Sequence, residues 1–219
     1  MCIRDSPDWE EVIKTFPRGE LRDYLGLVSM GEVSIAVKPQ YIDKLPKIFD
    51  GKVRELLQRV DDREELDRLS ELMGVDHIQD RTLGDLSGGE LQRVAICATL
   101  LKEADVYFFD EPSSYLDIYE RMRMVRVIRE LAENGKRILV VEHDLAILDV
   151  LCDLTHIIYG ERSAYGIFTP PRSTRTAINA YLEGFLPEEN VRIREKPIQF
   201  LRGRNRGEEV GDPILKWGA

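Results

Sequence analysis

The sequence predicts an α/β fold built around a parallel sheet, and three observations carry that reading. Val106 to Phe109 and Ile138 to Val141 are uninterrupted apolar runs of strand length. Between them, Ile118 to Glu133 places Ile118, Met122, Val125 and Ile128 on one helical face and stops at Asn134-Gly135. A further helix, with Leu145, Leu148 and Leu151 at helical spacing, leads to a strand at His156 to Tyr159. Strands that are apolar throughout and separated by helices imply a parallel sheet covered on both faces.

The other elements follow in chain order. Met1 to Ser6 has no pattern and reads as a doubtful, non-native start. Trp9, Val12, Ile13 and Phe16 then repeat at helical spacing after Asp8, Pro17-Arg18-Gly19 interrupts, and Leu21, Tyr24, Leu25 and Val28 resume. Residues 7–30 are therefore expected to form a helix–loop–helix unit. Val33 to Val37 reads as a short strand ending at Lys38-Pro39-Gln40-Tyr41. Val53 to Val60 and Arg63 to Met73 are charged amphipathic helices, the second closed by Gly74. Ser87, with Glu90 three residues on, forms a capping box that opens a helix through Val94, Ile96, Cys97 and Leu100. Beyond about Asn190 the chain is rich in Arg, Glu and Gly and reads as a linker and tail.

Composition narrows the function. With 31 Lys+Arg against 40 Asp+Glu, the 219 residues carry a formal charge of −9, which argues against coating nucleic acid by charge alone. At ~150 residues per domain the length implies one or two domains. No apolar run approaches the ~20 residues of a membrane span. Cys2, Cys97 and Cys152 form no Cys-x-x-Cys pair and His77, His143 and His156 are scattered. Neither a disulfide framework nor a zinc site is expected here, and a reducing cytoplasm fits best.

Two constellations carry chemistry. Asp110-Glu111 follows the strand Val106 to Phe109, at the carboxyl edge where parallel sheets bind ligands. Two carboxylates there suit a Mg²⁺ contact and a base for water. His143 stands at the same end of the next strand, so Asp110, Glu111 and His143 are expected to face one ligand. The second is Leu86-Ser87-Gly88-Gly89-Glu90-Leu91-Gln92-Arg93. Its glycines leave a helix start bare, open to an anion such as a terminal phosphate.

The string Leu86 to Arg93 resembles the signature motif of ABC-type ATPases. Val106 to Glu111 is similar to their Walker B strand, Ser114 to Asp117 to the D-loop, His143 to the switch histidine and Gln40 to the Q-loop glutamine. More narrowly, Ile35 to Tyr41, Phe109 to Asp117, Val141 to Leu145 and Ser163-Ala164-Tyr165-Gly166 resemble the ABC-E family of ribosome-recycling ATPases, also called ribonuclease L inhibitors.

That resemblance implies a nucleotide-binding domain over residues 31–186, with a parallel sheet core, a helical signature lobe and the helix–loop–helix insertion, followed by a hinge and tail over 187–219. It implies ATP and Mg²⁺ as ligands. Asp110 would hold the metal, Glu111 would polarise the attacking water, His143 would contact the γ-phosphate, and Gln40 would sense metal and water. Ser87, Gly88, Gly89 and Glu90 would close on ATP held by a second ABC domain, and Asp117 would link the two sites. The partners implied are the small ribosomal subunit, through residues 7–30, and translation termination or initiation factors, in the cytoplasm and with no membrane.

No Gly-x-x-x-x-Gly-Lys-Ser/Thr string occurs, because Gly51-Lys52 and Gly135-Lys136 are followed by Val53 and Arg137. The expectation is thus a partial domain without its phosphate loop and inactive alone, with the family's iron–sulfur clusters in a region outside these residues. An ABC transporter ATPase subunit and a non-catalytic interaction module are the competing readings.

Overall fold

The computed structural model describes residues 8–161 and 164–198. The doubtful start at Met1 to Ser6, Pro7 of the helix–loop–helix, Ser163, and the tail from Gly203 to Ala219 lie outside the described residues. The chain divides into two compact units at Leu151/Cys152.

In the first unit, α1 (Trp9–Thr15) begins where the Asp8 carboxylate accepts the Glu10 N–H at 3.2 Å. Helix α2 (Glu20–Ser29) packs against it, and neither helix has a buried residue. Strand β1 (Ile35–Lys38) follows, then the one-turn α3 (Leu45–Ile48), α4 (Val53–Arg59) and α5 (Leu66–Met73). Helix α6 (Gly88–Leu101) precedes β2 (Val106–Asp110), α7 (Ile118–Glu133), β3 (Arg137–Val141) and α8 (Leu145–Leu151).

The three strands form one parallel sheet in the order β1-β2-β3. Lys38 lies opposite Phe109, and Asp110 opposite Val141, so all three strands end at one level. Ser34 joins β1 to the start of β2 by donating its N–H and hydroxyl to Asp105, at 2.9 and 2.7 Å. Helix α6 packs against α4 and α5 and also against β1 and β2, which explains why ten of its side chains are buried.

Several expectations need correction. The first strand is shifted to Ile35–Lys38: the Ser34 N–H and hydroxyl are bound to the Asp105 carboxylate, and only its carbonyl meets the neighbouring strand, accepting the Val106 N–H at 3.1 Å. Helix α5 starts at Leu66, not Arg63: Asp61 accepts the N–H groups of Glu65 and Leu66 at 3.0 and 3.2 Å, and Glu64 takes a left-handed turn at φ 57°. On α7 the buried residues are Met124, Val125, Val127, Ile128 and Leu131, whereas Ile118 and Met122 are exposed. The inward face is set by what packs on it, and it is rotated from the one the spacing suggested.

The sheet is covered on one face only among the described residues. Ala36, Lys38, Tyr107 and Phe109 are buried, while Ile35, Val37 and Leu139 on the opposite face are about half exposed, at 53, 51 and 49%.

The segment His156 to Tyr159 is not a fourth parallel strand. In the second unit β4 (Leu154–Thr155) pairs antiparallel with β7 (Arg172–Ser173), and β5 (Ile158–Glu161) pairs antiparallel with β6 (Tyr165–Phe168). His156 falls between β4 and β5, its Nδ1 2.7 Å from the Thr169 carbonyl. Nor are residues 191–198 a loose tail. Strands β8 (Phe185–Leu186) and β9 (Val191–Arg192) form a hairpin after α9 (Thr174–Glu183), and Ile193 packs on a core of Ile157, Ala177, Ala180 and Leu186. Cys152 lies just past the end of α8.

Candidate functional site

The sheet's carboxyl edge brings together the residues expected there. Glu111, the first residue past β2, directs one carboxylate oxygen to two partners: Gln40 Nε2 donates to it at 2.9 Å, and His143 Nε2 lies 3.2 Å away. The other oxygen accepts from Ser114 Oγ at 3.4 Å. These partners come from three separate strand ends, which the parallel register sets at one level. Gln40 and His143 are exposed and the Glu111 carboxylate is partly covered, so the group faces solvent while its backbone runs inward. Asp110, half-buried, ends β2 at the same edge.

Behind this edge the backbone is held by side chains that sequence reasoning did not single out. Glu111 has a left-handed backbone, φ 45°, uncommon for a side chain of its size. Its N–H donates to the Val141 carbonyl at 2.9 Å. Its carbonyl accepts from Gln92 Nε2 at 2.9 Å and from Lys38 Nζ at 3.3 Å, and Lys38 also donates to the Asp110 carbonyl at 2.7 Å. Gln92 reaches the Pro112 carbonyl as well, at 2.9 Å. Lys38 is wholly buried. Burial pushes its ammonium down to about 8, against the pull of the Asp110, Glu111 and Glu142 carboxylates. The Glu142 carboxylate accepts the N–H groups of His143, Asp144 and Ser113 at 2.8, 3.2 and 3.3 Å, joining the turns after β3 and β2. Lys38 lay within the stretch Ile35 to Tyr41 that carries the family resemblance, but its only individual signal was a charge at the end of an apolar strand.

The second constellation forms its own cluster. Ser87 and Glu90 make the expected capping box: Glu90 accepts the Ser87 N–H at 2.8 Å and Ser87 Oγ accepts the Glu90 N–H at 3.3 Å. The Ser87 N–H holds the Glu90 carboxyl below its ordinary range, aided by Arg81 at 2.7 Å. Asp117 is likewise the cap of α7, accepting the Glu120 N–H at 2.9 Å. The two glycines lie against Tyr115. A Cβ on Gly89 would stand 2.9 Å from the Tyr115 carbonyl, and one on Gly88 3.3 Å from its ring. Arg93 then pairs with Glu120 at 3.0 Å. Gln92 and Gly89 thus hold the start of α6 against the loop between β2 and α7, and Arg93 ties it to the first turn of α7.

This arrangement can be set beside known proteins. The ABC transporter family model matches residues 20–114. The chain is 50% identical over 194 residues to an uncharacterized ABC transporter ATP-binding protein of Methanocaldococcus jannaschii, covering 89% of this chain and 32% of that protein. It is 42% identical over 201 residues to translation initiation factor RLI1 of Saccharomyces cerevisiae, covering 90% and 33%. A crystal structure of the archaeal ribosome recycling factor aABCE1 with ribosomal stalk protein aP1 superposes with a TM-score of 0.86 at 48% identity, over 95% of this chain and 40% of that one.

The chain belongs to the ABC-E family of ABC-type ATPases. It spans about a third of the length of the curated relatives it matches. The likeness extends beyond the stretch matched by the general ABC model into the second unit. Among the described residues no helix is long and apolar enough to cross a membrane.

Proposed function

We propose that this chain is the catalytic edge and signature helix of an ATP-hydrolysing factor that splits or recycles ribosomes. The observation that carries it is the Glu111 carboxylate held at one oxygen by Gln40 and His143. A carboxylate so placed is fixed in direction and still open to solvent, as a group that orients an attacking water must be. His143 contacts the γ-phosphate in this reading, and Gln40 keeps the water and metal in register with Glu111. The relatives support the setting, since RLI1 is named as a translation initiation factor and aABCE1 as a ribosome recycling factor.

Asp110 and Gln40 are the residues that would hold Mg²⁺. No group of three or more His, Cys, Asp or Glu that could hold a metal occurs among the described residues, and this fits an ion that takes one or two protein oxygens and completes its shell with water and phosphate. When bound, the metal supplies neutralisation of phosphate charge. Ser87, Gly88 and Gly89 face ATP held by a second ABC domain, with Glu90 and Asp117 keeping that helix start and loop in shape by capping. The helix pair of Trp9–Thr15 and Glu20–Ser29 faces the small ribosomal subunit, in the cytoplasm, and termination or initiation factors share the complex.

The test is Glu111→Gln in the complete ATPase. Nucleotide affinity should be retained while single-turnover phosphate release slows by about 10²-fold or more. Turnover equal to the parent's would remove Glu111 from this role.

A further inference from the structure

We propose that Lys38 is a positioning residue for hydrolysis, acting through the backbone of Glu111; the inference rests on the role given to Glu111 above. Lys38 is at 0% exposure on the covered face of the sheet, between strand positions filled by Ala36, Tyr107 and Phe109. Lysine is almost never fully buried without partners, and here the partners are two consecutive backbone carbonyls, of Asp110 and Glu111.

That pairing constrains geometry. In an extended strand successive carbonyls point to opposite sides, so a single donor cannot reach both. They point the same way only where the residue between them leaves the extended region, and Glu111 does so, at φ 45°. One ammonium bonded to both carbonyls therefore fixes the Glu111 dihedrals. Gln92, from the signature helix, adds a second donor to the same carbonyl. Glu111 is thus held at two ends: its carbonyl by Lys38 and Gln92 inside, its carboxylate by Gln40 and His143 outside. An apolar side chain at position 38 would fill the space but leave the Asp110 carbonyl without this donor, free to relax Glu111 toward an ordinary backbone and swing the carboxylate from its partners.

The experiment is a double-mutant cycle in the complete ATPase, read by single-turnover phosphate release and by the KM for ATP. Lys38→Met should lower kcat about tenfold, the scale of a small displacement of a catalytic group, with KM changed less than twofold. Combined with Glu111→Gln it should lower the rate no further, because its effect passes through the carboxylate. An unchanged kcat, or an equal loss in both backgrounds, overturns the proposal. If Lys38→Met does not fold, Gln92→Leu removes the other donor to the same carbonyl and the cycle is read in the same way. A Glu111→Gln enzyme with parental turnover overturns the role of Glu111 and this inference together, whereas a slowed Glu111→Gln with additive Lys38→Met overturns this inference alone.

Discussion

The two faces of the three-stranded sheet are built from alternate residues of the same strands, yet they have opposite fates. Ala36, Tyr107 and Phe109 lie under α6, no more than 1% exposed, while Ile35, Val37 and Leu139 are about half open. Both sets are apolar, and each strand read alone would bury both. Hydrophobicity supplied the strands, but burial was assigned by where α6 came to rest. The covered face is also the one that admits a polar group, Lys38, because only there do fixed carbonyls repay the loss of water.

This contrast can be broken in graded steps. Phe109→Ala removes a side chain at 0% exposure and should cost roughly 3–5 kcal/mol, as large-to-small changes in aromatic cores do. Denaturant unfolding of the chain would measure it, and a loss under about 1 kcal/mol would mean that the face is not packed as described.

A smaller effect separates Lys38 from its apolar neighbours. Its ammonium is pushed down to about 8 from an ordinary 10.5, so between those values the unfolded chain binds more protons than the folded one. Stability contributed at this position therefore rises with pH through that window, by no more than the ~1.4 kcal/mol per pH unit of a single proton. Below pH 8 the full cost of the buried charge is present. From pH 7 to 10 the stability of the parent relative to Lys38→Met should rise, and a constant difference between their unfolding curves would refute the shift.

Least of all should stability respond to Leu139→Thr on the open face, within about 0.5 kcal/mol. Light scattering should instead show weaker self-association, since a contiguous apolar patch loses one of its members.

The same division explains what could be read beforehand. The βαβ unit was legible because β2 and β3 are continuous apolar runs flanking a helix with a clear stop, and the capping box at Ser87 is a local pattern within four residues; the same box at Asp117 came to light only in the structure. Asp110, Glu111 and His143 were legible as a group because parallel strand ends share an edge, whereas Gln40 was assigned to that edge only through the family resemblance. The antiparallel pairing of β5 with β6 was not, since a short apolar run does not state its direction. Residues 191–198 looked like a tail because their charge hid Ile193, an apolar residue that meets a core built from Ile157, Ala177, Ala180 and Leu186.

What the sequence by itself determined is local: which segments become strands and helices, where helices start, and which family the motifs belong to, all matters of spacing within a few residues. Which face of the sheet is closed, which side of α7 turns inward, and why Glu111 adopts a left-handed backbone were decided only by the tertiary structure. Each depends on groups distant along the chain, as Lys38 is from Glu111 by 73 residues and Gln92 by 19. A hydrogen bond to a backbone carbonyl leaves no mark on the acceptor's side chain, so the contacts that aim the Glu111 carboxylate exist only once the fold has brought them together.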